Sequence, residues 1–173
     1  MILTCTLKTP LGAMQAAAHV ADNAASDVSV RAELCGLWFL GQKHFPQHTD
    51  TWILQKDLPA FRELNKWLDM YFSKSKKLLH LPLAPKGTAF QQSVWKLLSC
   101  IPYGSTSTYS EIAGKLDLKG QGVRAVAGAV AHNPISIIIP CHRVIGSDGT
   151  LKGYAGGIDR KQALLKLEGF CTL

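Results

Sequence analysis

A thiol, an imidazole and a guanidinium stand side by side at Cys141-His142-Arg143, directly after the apolar run Ile137-Ile138-Ile139 and Pro140. A free cysteine becomes a strong nucleophile only when it loses its proton, near pH ~8.5. A neighbouring base or positive charge shifts that balance, and His142 and Arg143 could supply either. The apolar run reads as a buried strand that delivers the cysteine to a fixed point, and Pro140 stops the strand there. The pattern therefore describes a reactive cysteine at the mouth of a pocket. Against it stands the fact that cysteine is among the most buried residue types and is usually inert. The surrounding elements have to decide.

Those elements are mostly helical. Thr88-Ala89-Phe90-Gln91 is a capping box opening a helix whose Phe90, Val94, Leu97, Leu98 and Ile101 share one face, ended by Pro102-Tyr103-Gly104. Thr108-Tyr109-Ser110-Glu111 is a second capping box, with a short helix through Leu116. Asp117 to Gly122 reads as a turn, and a further helix runs from about Val123 to His132, stopping before Asn133-Pro134. Helix, glycine-containing turn, helix is the helix-turn-helix pattern. Val123, Val126, Ala127 and Val130 would form its buried stripe. The opposite face would carry Gln121, Arg124, Ala125, Gly128 and His132. Such a face has one long polar side chain, so it can approach a backbone closely but can read little base sequence. Small residues equally allow tight packing between helices.

The first half reads differently. Ile2 to Leu7 and Ala13 to Val20 suit extended segments around the turn Thr9-Pro10-Leu11-Gly12, and Gly36 to Gly41 suits a third strand. Asp22 to Ser29 is small and polar, as in a loop. Asp57 can cap a helix with the apolar stripe Phe61, Leu64, Leu68, Tyr71 and Phe72. Lys74-Ser75-Lys76-Lys77 is a short basic run suited to a solvated surface. Pro82-Leu83-Ala84-Pro85-Lys86-Gly87 interrupts regular structure and marks the expected boundary between domains 1–84 and 85–173.

Composition narrows the class of partner. In 173 residues, 47% are hydrophobic, so a sizeable core can form. The formal net charge is +7; residues 85–173 hold ten Lys and Arg against five Asp and Glu, so the second half is the expected nucleic-acid face. The five cysteines, Cys5, Cys35, Cys100, Cys141 and Cys171, include no Cys-x-x-Cys pair, which fits a reducing cytosol better than a disulfide framework. Neither a signal peptide nor a membrane-spanning segment is expected.

At this point the chain resembles the O6-alkylguanine-DNA alkyltransferases, direct-reversal DNA repair proteins. The resemblance covers residues 87–173. It rests on Gly87-Thr88-x-Phe90-Gln91-x-x-Val94-Trp95, Ile101-Pro102-Tyr103-Gly104-x-Thr106-x-x-Tyr109, Arg124-Ala125-Val126, Asn133-Pro134, Ile139-Pro140-Cys141-His142-Arg143-Val144, Gly153-Tyr154-Ala155-Gly156-Gly157 and Leu167-Glu168-Gly169. Residues 1–84 match only loosely. The resemblance implies an α/β + α fold, with a small N-terminal α/β domain built on an antiparallel sheet and a helical, winged-helix-like C-terminal domain containing the helix-turn-helix. It implies that Cys141 accepts the alkyl group, irreversibly and once. His142 would activate the thiol through a water, Glu168 would orient the imidazole, and Tyr109 would donate a proton to the departing guanine. Arg124 would enter the duplex in place of the flipped nucleotide, and Asn133 would tie the helix-turn-helix to the active-site segment. Backbone groups of Cys141, Val144 and Ala155 would hold the base edge, with Tyr154 and Gly156 lining the pocket and Lys161 polarising the substrate. The implied partner is double-stranded DNA carrying alkylated bases, met by a monomer without cofactor or membrane. The implied location is the cytoplasm, at the nucleoid in a bacterium, or the nucleus in a eukaryote. O4-alkylthymine stays open as a second substrate.

The chemistry agrees. An O-alkyl carbon is a soft electrophile suited to a thiolate. A purine leaves well only if it does not depart as an anion. The target atom lies inside the base stack and has to be extruded. Some members of the family carry a structural zinc, and Cys5, Cys35, His44 and His48 invite that reading. They lack the short paired spacing of a zinc site, and Trp38 stands where the zinc-binding histidine would align. No metal is therefore expected. Ser136 stands where some members have a proline that narrows the pocket. The alternatives are a noncatalytic alkylated-base sensor, in which the acceptor cysteine is replaced, a transcription regulator, and a cysteine hydrolase, which would turn over.

Overall fold

The computed structural model describes residues 1–21, 32–47, 49–75, 79–118 and 122–170. The expected loop at Asp22 to Ser29, His48, Lys76 and Lys77, Gln121 and Cys171 lie outside the described residues. The chain forms two compact units. One comprises Met1–Gly41 and Phe45–Lys86, the other Gln42–His44 and Gly87–Leu173.

The first unit is a four-stranded sheet with one helix. Strands β1 (Ile2–Thr9) and β2 (Gly12–His19) form a hairpin in which Thr9 pairs with Gly12. The Thr9 hydroxyl closes the turn on the Gly12 carbonyl at 2.7 Å. Strand β3 (Glu33–Phe39) starts before the expected Gly36 and pairs antiparallel with β2, with a register shift between Ala17 and Ala18. A short β4 (Ile53–Leu54), unexpected from the sequence, pairs parallel with β1, so the order is β3-β2-β1-β4 and the sheet is not purely antiparallel. Ala17, Cys35 and Trp38 cluster with Ile2, Phe45 and Trp52, and the Trp38 and Trp52 rings stack 5.8 Å apart. Gly36 permits this, because a Cβ there would fall within the Trp38 ring.

Helix α1 (Pro59–Phe72) corrects one expectation. Its N-cap is Leu58, without a side-chain cap, and not Asp57. Pro59 at the first position replaces the cap, since its ring presets φ and removes one N–H that would lack a partner. The buried stripe is Phe61, Leu64, Trp67, Leu68 and Tyr71, with Phe72 only half-buried. Trp67 takes the expected place of Phe72 and stacks on Tyr71 at 5.3 Å. Pro82 and Ala84 stay within this unit, bonded through their backbones to both sides of Leu34.

The second unit is helical. Helix α2 (Ala89–Ser99) begins at Thr88, which forms a capping box with Gln91, and α3 (Tyr109–Lys115) begins at Thr108, which forms one with Glu111. Helix α4 (Gly122–Ala131) packs on both α2 and α3. Its buried residues are Val126, Ala129 and Val130. Val123, expected on that stripe, is instead 38% exposed. Two short strands, β5 (Ser107–Thr108) and β6 (Val144–Ile145), pair in parallel. This pairing places the residue that opens α3 beside the segment that leaves Cys141. Helix α5 (Ile158–Leu167) completes the unit. No helix among the described residues is long and apolar enough to cross a membrane.

The indole N–H of Trp95, 2% exposed, donates to the Ala129 carbonyl at 2.9 Å and locks α2 to α4. Trp95→Phe removes that bond and part of the packed ring. It should lower the unfolding free energy by about 2 kcal/mol. The measurement is the urea midpoint at unchanged m-value; an unchanged midpoint would mean that α4 does not depend on this contact.

Candidate active site

Cys141 begins a 3-10 turn, Cys141–Arg143, directly after Pro140. The preceding apolar run is not the expected strand. Ile138 and Ile139 donate back to the Ser136 and Ile135 carbonyls, and Ile137 has φ +72°, in the left-handed region where a β-branched residue is strained. Asn133 fixes this tight path. Its side-chain oxygen accepts from the Ile135 N–H at 3.0 Å, and its amide nitrogen donates to the Ile139 carbonyl at 2.7 Å and to Cys141 Sγ at 3.0 Å. Asn133 thus joins the end of α4 directly to the thiol.

Glu168, at the C-cap of α5, collects the other groups. Its Oε1 lies 2.8 Å from His142 Nε2, Arg143 donates Nε to Oε2 at 2.8 Å and Nη2 to Oε1 at 2.9 Å, and the Gly104 N–H reaches Oε2 at 3.2 Å. An ionised carboxylate only accepts, so the proton of the neutral imidazole sits on Nε2 and Nδ1 carries the lone pair. Arg143 also donates to the Ile101 carbonyl at 2.6 Å, with its guanidinium over the Tyr103 ring. Sequence reading placed Arg143 only as a neighbour of the thiol. Its adjacency to His142 was the available signal, but its aim depends on the fold.

Burial decides the protonation states. It pushes the Cys141 thiol above its ordinary value, opposed by the Asn133 hydrogen bond and the Lys161 charge. It pushes His142 below its ordinary value, opposed by Glu168. The resting pair is therefore a neutral thiol beside a neutral imidazole. Tyr109 is pushed up to about 12, first by burial and then by Cys141, so its phenol stays protonated. Its hydroxyl rests on the Lys152 and Gly153 carbonyls at 2.9 and 3.2 Å. Gly153, at φ +55°, suits this close approach, since a Cβ there would stand 3.3 Å from the hydroxyl. Lys161 is fully buried, its ammonium donating to the Val144 and Lys152 carbonyls at 2.5 and 2.7 Å. Burial lowers it to about 8.

Cys141, His142, Glu168, Tyr109, Asn133, Val144 and Lys161 are thus joined by direct bonds, by chain or through shared carbonyls. Tyr154 and Gly156 are buried in the adjoining loop, with Ala155 half-buried between them. The Val144 N–H already bonds the Cys141 carbonyl. Arg124 stands apart, exposed on α4 with Ala125 and Gly128. A Cβ built on Gly128 meets no atom within 4 Å, so packing does not require a glycine there. This favours close approach from outside as the reason for the small face. His132, expected on the same face, bonds the Gly128 carbonyl and lies tilted against the His44 ring. Among the described residues no three His, Cys, Asp or Glu side chains converge as a metal site.

Residues 89–170 match the model of the 6-O-methylguanine DNA methyltransferase DNA-binding domain. The chain is 42% identical over 168 residues to a methylated-DNA–protein-cysteine methyltransferase of Mycobacterium tuberculosis, covering 97% of this chain and 93% of that one. It is 56% identical over 117 residues to one of Methanosarcina barkeri, covering 68% and 72%. The crystal structure of the Mycobacterium tuberculosis O6-methylguanine methyltransferase superposes with a TM-score of 0.80 at 40% identity, over 97% of this chain and 93% of that one. A structure of the Mycobacterium tuberculosis protein in complex with DNA matches equally, over 96% and 92%.

The depressed proton affinity of His142 has a sign. Unfolded, the imidazole titrates at about 6.5; folded, it titrates lower, so below about 6.5 the unfolded chain binds more protons and stability is lost as the pH is lowered. The loss of melting temperature between about pH 7 and 5.5 should be smaller in His142→Gln than in the wild type. Thermal melts across that range measure it; equal slopes would assign the acid sensitivity to other groups.

Proposed function

The chain belongs to the methylated-DNA–protein-cysteine methyltransferase family of direct-reversal DNA repair proteins, and from that membership we propose that its own Cys141 takes the alkyl group from O6-alkylguanine in DNA. The observation that carries this reading is a buried, anchored thiol next in the chain to a buried imidazole held by a carboxylate. Asn133 holds Sγ at 3.0 Å, and the neighbouring His142 is fixed on Glu168 at 2.8 Å with Nδ1 left as the basic nitrogen.

The thiol is protonated at rest, so a base has to act during the reaction. His142 Nδ1 takes the proton through a bridging water, the route implied by the family resemblance, and Glu168 stabilises the imidazolium that forms, against the opposing charge of Arg143. The sulfur attacks the O-alkyl carbon. A carbon–sulfur bond forms, the carbon–oxygen bond breaks, and its electron pair leaves on the purine. Tyr109, a phenol kept protonated, gives up its carbonyl partners to donate to the purine as charge develops. Lys161 lies with its ammonium 6.0 Å from the Tyr109 ring centre and opposes that charge. Tyr109 is reprotonated from solvent as the imidazolium of His142 releases its proton, so the balance is thiol plus O-alkylguanine to thioether plus guanine. A thioether is not cleaved by thiol exchange, so each molecule acts once.

DNA is the partner. A net charge of +7 supplies attraction to phosphate. The exposed small face of α4 brings backbone close to backbone, and Arg124 enters the stack to offset part of the cost of extruding a base, about a few kcal/mol. We place the reaction in a reducing compartment and assign it to a monomer. A hydrolase using the same cysteine would turn over.

Incubation with duplex DNA carrying one O6-methylguanine should add one methyl group to the intact protein, on Cys141, and Cys141→Ser should gain none. Repair of several lesions per molecule would overturn the single-use acceptor. Arg124→Ala should slow repair in duplex by about 10-fold or more, the scale of a lost stacking contact, while reaction with the free alkylated base is unchanged. Equal losses on both substrates would return Arg124 to the fold or the chemistry.

A further inference from the structure

Three consecutive residues after β3, Gln42, Lys43 and His44, belong to the second compact unit and not to the first. Two anchors hold them there. The buried Gln42 accepts from the Ser136 hydroxyl at 3.5 Å, and the Lys43 N–H donates to the Ala155 carbonyl at 3.0 Å. His44 has φ +57°, a conformation that a non-glycine residue keeps only where its surroundings fix it. Its ring lies 3.9 Å from the His132 ring, tilted by 34°. Lys43, His44 and His132 are all exposed. The anchored loop thus presents two imidazoles and an ammonium to solvent just beyond the end of α4.

That spot is aligned with the exposed face of α4. Arg124, Gly128 and His132 recur every four residues and form one row along the helix. His132 carries the row past Ala131, because its backbone N–H still reaches the Gly128 carbonyl at 3.2 Å. Its ring Nδ1 lies 2.8 Å from the same carbonyl, which only accepts, so Nδ1 carries the proton and Nε2 is the nitrogen left to titrate. Eight residues of helix span about 12 Å. A major groove is about 12 Å wide and a minor groove about 6 Å. With Arg124 in the stack, the far end of the row therefore reaches the phosphate backbone across either groove. A helix C-terminus carries partial negative charge and by itself repels phosphate. A cation there reverses the repulsion, and the same partial charge favours a protonated imidazole. Burial first, and then the charges of His132 from the end of α4 and Lys43 from its own loop, hold the His44 imidazole below its ordinary value. Neither of those groups is an anion, and an anion is what would let all three carry charge together.

We propose that Lys43, His44 and His132 form a second DNA contact, separate from Arg124: a cationic clamp that takes one backbone phosphate beside the end of α4, with an imidazolium as donor. This rests on α4 facing the duplex. A neutral His132 has its one proton on the Gly128 carbonyl and none to give; only the protonated ring donates from both nitrogens. Phosphate favours that form, so binding takes up a proton and tightens as the pH falls through the ordinary imidazole range, about 6.5. The contact reads no base and acts on any duplex.

The test is the affinity for an undamaged duplex, read by fluorescence anisotropy at pH 6 and pH 8 over a series of salt concentrations. The proteins are the wild type, His132→Phe, His44→Phe and the double variant. Phenylalanine keeps a ring at each position and removes the proton. At pH 6 each single variant should bind about 2- to 5-fold more weakly than the wild type, the scale of an exposed ion pair. The slope of log affinity against log salt should shrink by about one, the value of one lost phosphate contact. At pH 8 both differences should close. The double variant should go little further than either single, since both rings serve one phosphate. Rings that only brace the loop would give the same loss at both pH values with an unchanged salt slope; that result overturns the proposal. Should the phenylalanine variants not fold, His132→Gln and His44→Gln carry the same expectation. A wild type that transfers no methyl group to Cys141 from a lesion duplex would overturn the function itself, whereas a reactive wild type whose variants show no pH-dependent gap would overturn only the phosphate contact.

Discussion

One buried carboxylate holds the second unit together around its chemistry. Glu168 is 6% exposed and takes charge-assisted hydrogen bonds from His142 and twice from Arg143, with the Gly104 N–H as a fourth donor. These groups come from the end of α5, the turn at Cys141 and the loop between α2 and α3. An unpaired buried charge of this kind would cost about 3–5 kcal/mol. The pairing therefore admits very few arrangements of the three elements. It fixes the imidazole tautomer by the same bonds, so packing and proton placement are one constraint.

Desolvation then sets the resting chemistry. It raises the Cys141 thiol and lowers His142, so it favours the neutral form of both. An exposed thiolate would be open to oxidation and stray electrophiles. In the proposed reaction, a buried thiol beside a neutral imidazole is quiet until a substrate occupies the site. Lys161 and Tyr109 fit that logic. Each is buried, each bonds the Lys152 carbonyl, and each is shifted toward its neutral form. The loop at Lys152 and Gly153 is thus a shared rest position from which the phenol can turn.

The same helical frame presents a second, outward surface. Asn133 follows α4 and bonds the thiol, so the helix that bears Arg124 and the proposed acceptor are linked through one side chain. Displacing one disturbs the other. The open surface at Gly128 and the anchored turn at Cys141 are opposite ends of that link, which gives a physical reason for joining lesion search to alkyl transfer in one small unit.

Local interactions were legible in the chain. The capping boxes at Thr88 and Thr108, the stop of α4 before Asn133-Pro134 and the turn at Gly12 each depend on residues within a few positions, and each forms where the sequence places it. The motifs around Cys141 identified the family because their spacing is dense and specific. What the sequence left undecided depends on contacts between distant segments. The bonds of Arg143 to Glu168 and Ile101 join residues 25 and 42 positions apart, and that of Gln42 to Ser136 spans 94. Helix α1 took Pro59 over Asp57 for its start, and Val123 turned outward because α2 and α3 together define the buried face of α4. The Ile137-Ile138-Ile139 run reads as a strand by composition, yet Asn133 bends it into a turn. Composition determines which groups are available; their protonation and aim were decided by burial, which exists only once the chain has closed around them.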